Sequence, residues 1–200
     1  MPIEFNSEYI YANVYFRVDN PKKEISDLFI SFLDINIYFY VKQRIKFFVI
    51  TKEIVEEYNL SIDKLYQSAC ENAELEGYNF RGLADTIASL IPGIEDTENK
   101  VVNSVDDYMY VFTNKTGNFG AAGLVLKTHL DAFADKIGVN QMIILPSSIH
   151  ELIVIPDTAN LNTEILRSTV KAVNKEVISY DIYLSDNVYI YNRGGVQICW

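Results

Sequence analysis

Ile143-Ile144-Leu145-Pro146-Ser147-Ser148-Ile149-His150-Glu151-Leu152-Ile153-Val154-Ile155-Pro156 is the stretch from which the fold of this chain is read. Two short apolar runs, Met142–Leu145 and Leu152–Ile155, flank a polar kernel of Pro146, Ser147, Ser148, His150 and Glu151. Each run is too short for a helix and rich in β-branched residues, so both are expected as buried strands. A turn-forming proline, two hydroxyls and one of only two histidines lie between them.

Upstream, Tyr9–Val18 is dense in tyrosine, valine and phenylalanine and reads as a strand that ends at Asp19-Asn20-Pro21. In Lys22–Leu33 the residues Ile25, Leu28, Phe29 and Phe32 follow helical spacing, which predicts a short amphipathic helix. Ile35–Val41 and Ile45–Thr51 read as a hairpin across Lys42-Gln43-Arg44. Lys52–Tyr58 predicts a brief helix, and Ser61 is placed as the N-cap of a longer one ending before Gly77. That longer helix carries Ile62, Leu65, Tyr66, Ala69 and Ala73 on one stripe. Leu83–Leu90 predicts another short helix.

Downstream, Tyr108–Thr113 predicts a strand and Asn114–Asn118 a loop. Ala122, Leu126, Leu130, Phe133 and Ile137 form a helical stripe closed by Gly138. Asn160 is expected to cap a last helix, with Leu166, Val170, Val173 and Val177 on its buried face. Val188–Tyr191 and Val196–Trp200 form a closing hairpin across Asn192-Arg193-Gly194-Gly195. Strands and helices alternate only partly. The expected class is therefore α+β, with a mixed, mainly antiparallel sheet and several amphipathic helices packed against it. Residues 1–200 are expected as one domain, with a division into lobes 1–92 and 107–200 across an acidic connection, 93–106, as the alternative.

At 49% hydrophobic and 13% aromatic, the chain has the material for a large core and is not a disordered one. Its formal charge of −10 argues against direct nucleic-acid binding, which needs cations to displace phosphate counterions. The N-terminus lacks the basic-then-apolar order of a signal peptide, and no apolar run approaches the ~20 residues that span a bilayer. A cytoplasmic protein without membrane contact is expected. Cys70 and Cys199 have no metal-ligand spacing and are expected as reduced thiols, with a disulfide between them left open.

Ser147, Ser148 and His150, with Glu151 or Asp157 as orienting carboxylate, suggest a nucleophile and its base. No Gly-x-Ser-x-Gly elbow surrounds either serine. The plainer reading gives the serines to turn amides and His150 to the start of the second strand. Gly117, Gly120 and Gly123 lie between a strand and a helix, where backbone amides can meet an anion. They lack P-loop and dinucleotide spacing, and small residues there serve close packing equally well. His129 and Asp131 sit at helix positions that point apart, so neither a metal site nor a cofactor is expected.

Several segments resemble the uncharacterised bacterial proteins grouped as DUF5688, with a fainter likeness to DUF1444. They are Phe32-Leu33-Asp34, Ile62-Asp63-Lys64-Leu65-Tyr66 running to Glu71-Asn72, and Tyr110-Val111-Phe112-Thr113-Asn114-Lys115 with Gly120-Ala121-Ala122. Leu145-Pro146-Ser147-Ser148-Ile149-His150-Glu151, Val173-Asn174 and Leu184-Ser185-Asp186-Asn187-Val188-Tyr189 complete the set. The resemblance implies a shared fold and transfers no activity. Three functions compete. The leading one is a non-catalytic interaction or regulatory protein whose partner is another protein, with self-association open; it is motivated partly by abundant tyrosine. The others are a small serine-type hydrolase or transferase using Ser147 or Ser148 with His150, and an acidic inhibitor that blocks a nucleic-acid-binding enzyme.

Overall fold

The computed structural model describes residues 5–43, 46–84, 86, 109–156 and 161–199. The chain divides into two compact units, residues 1–77 and 78–200. The acidic stretch 93–106 lies outside the described residues.

The first unit holds helix α1 (Ser7–Asn13), strands β1 (Val14–Asp19), β2 (Ile30–Phe32), β3 (Ile35–Gln43) and β4 (Lys46–Val49), and helices α2 (Lys52–Glu57) and α3 (Ile62–Glu76). β3 is the central strand. β1 pairs along one edge of it, while β2 and β4 pair with its two ends along the other, all antiparallel. Val14, Phe16, Val18, Ile37, Phe39 and Val41 are buried. Leu65, Ala69 and Ala73 of α3 are buried too, and Tyr66 meets Phe16 with ring centroids 5.0 Å apart. Asn72 fastens the helix by donating from Nδ2 to the carbonyls of Tyr11 and Val14, at 2.9 Å each.

Two expectations for this unit are corrected. The strand expected over Tyr9–Val18 begins only at Val14, because Asn6 caps α1 by accepting from the Tyr9 amide and Ile10 is buried as a helical residue. Tyrosine's strand preference gives way to the cap. The helix expected over Lys22–Leu33 is absent. A single 3₁₀ turn, Pro21–Lys23, ends at Glu24 in the left-handed region (φ 49°), and the chain then extends into β2. Once Ile30–Phe32 pairs with β3, the helical spacing of its apolar residues has no core to face, and Phe29 stays 47% exposed.

The second unit contains β5 (Tyr78–Gly82), β6 (Tyr110–Asn114), a 3₁₀ segment (Gly120–Val125), α4 (Lys127–Ile137), β7 (Gln141–Pro146), β8 (Leu152–Pro156), α5 (Thr163–Glu176), β9 (Tyr189–Asn192) and β10 (Gly195–Ile198). Its sheet runs β10-β9-β7-β8-β6-β5, with every neighbouring pair antiparallel. The β7–β8 hairpin therefore supplies the two central strands, and burial on both faces explains their continuous apolar runs. On one face Ile143, Ile155, Val170 and Val188 form a core that Leu166 of α5 joins. On the other, Phe133 of α4 packs edge-on to Tyr110 and stacks on Phe80.

β5 was not foreseen from the sequence. Leu83, Ala84 and Thr86 are helical, and the rest of the helix expected over Leu83–Leu90 is outside the described residues. Asn160 is likewise outside them, and the side chain that caps α5 is Asn162, accepting from the Glu164 and Ile165 amides. The stripe assigned to α5 is also corrected. Val170 is buried, but Val173 and Val177 are 45% and 73% exposed. The buried position one turn beyond Val170 is Asn174, whose amide donates to the Ser185 carbonyl and to Asp186.

Candidate functional site

The turn between β7 and β8 lies beside the loop that follows β6, because β6 and β8 are paired neighbours. Hydrogen bonds join the two loops. The Thr113 hydroxyl donates to the His150 carbonyl at 2.8 Å, and the Ala121 amide donates to the Ile149 carbonyl at 3.3 Å. The Ile149 amide donates to the carbonyl of Ile182, which brings in a third segment.

Within the turn, the buried Ser148 hydroxyl accepts from the His150 amide at 3.0 Å, and the Ser148 amide donates to the Glu151 carbonyl at 3.1 Å. The Ser147 hydroxyl donates to the Glu151 carboxylate at 3.3 Å. His150 Nδ1 accepts from the Phe119 amide at 3.2 Å, and the imidazole stacks on the Phe119 ring with centroids 5.6 Å apart. An imidazole nitrogen has one lone pair, so Nδ1 is not available to take a serine proton. Accepting at Nδ1 also places the proton of the neutral ring on Nε2. Ser147, Ser148 and Glu151 are thus bonded within the turn, and His150 ties the turn to Phe119 and Thr113.

The loop carrying Gly117, Gly120 and Gly123 is closed in the same way. A Cβ on Gly120 would sit 2.2 Å from Thr113 Oγ1 and 2.5 Å from the His150 carbonyl oxygen. A Cβ on Gly123 would sit 2.4 Å from the Phe112 ring. Gly117 has φ +67° with open space around it. These glycines permit close approach and a left-handed turn, and the amides of Gly117, Phe119, Ala121 and Ala122 are used within the protein. Phe119, which is itself left-handed at φ 56°, carried no sequence signal.

The two residues weighed as metal ligands also have separate surroundings. The His129 ring packs on Tyr78 at 4.9 Å. Asp131 accepts from Lys127 at 2.6 Å and from the buried Tyr191 hydroxyl. The Lys127 hydrogen bond, followed by that from Tyr191, holds the Asp131 carboxyl below its ordinary range. Burial first, then the bond to Asp131, pushes Tyr191 up to about 12. Among the described residues no three His, Cys, Asp or Glu side chains converge as metal ligands. Cys70 is a free thiol whose pKa is raised by burial and then by Glu74 and Glu71, which leaves it a weak nucleophile. Tyrosine proves a poor marker of an interface here, since Tyr38, Tyr110, Tyr189 and Tyr191 are among the largest fully buried side chains.

The architecture defines an α+β protein built on antiparallel sheets, with a polar turn at its central hairpin. The chain belongs to DUF5688, a family of unknown function, whose model matches residues 12–193. The fainter likeness to DUF1444 rests on the sequence reading alone. No curated protein and no solved structure matches the chain. No helix among the described residues is long and apolar enough to cross a membrane.

Proposed function

We propose that this chain is a non-catalytic, cytoplasmic interaction protein whose partner is another protein. One observation carries the reading. The serine, histidine and glutamate that could have formed a nucleophile and base are bonded to turn amides, to each other and to the Phe119 amide. A hydroxyl becomes a nucleophile only with an available base in reach, and His150 Nδ1 is occupied. The weak nucleophilicity of Cys70 points the same way.

The test is a quantitative pull-down from the native cytosol, run beside a turnover screen on ester, thioester and phosphoester substrates. A stoichiometric protein partner with no turnover is the expected result. Turnover by the wild-type chain that disappears in Ser147→Ala or Ser148→Ala, at unchanged stability, would overturn the reading in favour of the hydrolase.

A further inference from the structure

The first unit carries a cleft of about 730 Å³ that the turn chemistry does not involve, a size within the ~300–1,000 Å³ of small-molecule sites. It lies between segment 21–29 and one face of the sheet. Ser31 of β2 stands opposite Asn36 of β3, and Tyr38 follows Asn36 on the same face. These three side chains form a polar floor, and Phe29 stands beside it with its ring centroid 6.1 Å from that of Tyr38. Ser31 Oγ lies 3.4 Å from Asn36 Oδ1, and Asn36 Nδ2 donates to the Tyr38 hydroxyl at 3.3 Å. Tyr38 and Asn36 are 1% and 7% exposed, yet their donors are not all used. Among the described residues, the second Asn36 amide proton and the Tyr38 hydroxyl proton have no acceptor. Buried donors in a folded chain are nearly always paired, so a pair of them on the floor of a cleft points to an occupant.

The charges around the cleft balance. Glu24, Asp27 and Asp34 line it. Arg17 and Lys23 share the buried Asp19, which faces Asn36 in the β1–β3 register, and that cluster keeps one positive charge. Lys22, in the turn before Glu24, and Lys52, whose amide donates to Asp27, supply two more. We infer that the cleft binds a neutral polyhydroxylated ligand with the chemistry of a single pyranose sugar, a site independent of the proposed protein partner. The balanced surroundings select neither a cation nor an anion. A hydroxyl both donates and accepts, so a ring of hydroxyls accepts from Tyr38 and Asn36 at the floor and donates to the carboxylates, each of which has several lone pairs to offer. The ring of Phe29, 47% exposed, gives the apolar C–H face of such a ligand a surface to lie against.

The full chain tests this by saturation-transfer and chemical-shift titration with the methyl glycosides of glucose, galactose and mannose, beside spermidine, glutamate and inorganic phosphate. At least one glycoside is expected to bind with a dissociation constant in the millimolar range or below, with little change as salt rises. Tyr38→Phe, which removes the floor hydroxyl, and Phe29→Ser, a change at an exposed position, are each expected to weaken that binding about tenfold. Phe48→Ser, at an aromatic residue 39% exposed that does not line the cleft, should leave it unchanged. Thermal melts of the variants show that each is folded. No glycoside bound at about 10 mM, an affinity equal to wild type in both Tyr38→Phe and Phe29→Ser, or an equal loss in Phe48→Ser would each overturn the proposal. Tighter binding of spermidine, glutamate or phosphate than of every glycoside would overturn it too, in favour of a charged ligand. None of these results bears on whether a protein partner is recovered in the pull-down, so the two readings fail separately.

Discussion

Gly120 shows how closely the two loops of the second unit meet. Any side chain there would enter the space of Thr113 Oγ1, the His150 carbonyl and the Asn114 amide, two of which are backbone groups that move only with their loops. Gly120→Ala is therefore expected to cost about 2–3 kcal/mol, the upper part of the range for an overpacked core. Gly117→Ala adds its Cβ to open space and meets only the left-handed backbone, for a cost of about 1 kcal/mol. Urea unfolding of both variants checks the order, and equal losses would contradict this view of the loop. The sequence marked these glycines as a loop. It held no sign of which one is pressed against a neighbour, because that depends on how the end of β6 at Thr113 and Asn114 and the distant His150 close on Gly120.

At the scale of elements, legibility followed burial. The β7 and β8 runs are apolar throughout because both faces are covered, and the Ser61 cap and Gly77 stop mark α3 by local chemistry alone. Lys22–Leu33 and the C-terminal half of α5 misled because apolar spacing says which side chains share a face and not whether anything covers it. Val177→Lys is accordingly expected to change stability by less than about 0.5 kcal/mol, as at an ordinary surface site. Val170→Lys, which buries a charge in the core beside Ile143 and Ile155, should lower it severely. Thermal melts of the two variants separate the observed face of α5 from the one its spacing suggests.

The tie between α4 and β9 has its own signature. The neutral Tyr191 phenol is favoured in the folded chain, with its pKa raised from 10.0 to about 12. A group whose folded pKa is raised contributes stability that is fully present below the unfolded value and lost as pH rises through the folded one. Stability should therefore fall between about pH 10 and pH 12. The fall should be shallower in Tyr191→Phe, which lacks the titrating hydroxyl. Denaturation series across that range, taken as wild type minus variant, measure it. An identical slope in both proteins would remove Tyr191 from the account.

For the whole molecule, the α+β class and antiparallel pairing were legible because they follow from hairpins and partial alternation. The division after Gly77 was not. β5 is short and borders a helix, and it is the ladder with β6 and the packing of Tyr78 and Phe80 on His129 and Phe133 that assign it to the second unit. The site divides the same way. The composition of the turn is evident in Ser147, Ser148, His150 and Glu151, but its chemistry depends on Phe119, which lies far away in sequence. The imidazole tautomer of His150 at neutral pH, read by long-range proton–nitrogen correlation on labelled protein, tests the central claim most directly. A neutral ring protonated at Nε2, with Nδ1 accepting from the Phe119 amide, is the predicted result. A ring protonated at Nδ1, or one whose nitrogen shifts respond to Ser147→Ala or Ser148→Ala as a base losing its nucleophile would, contradicts it.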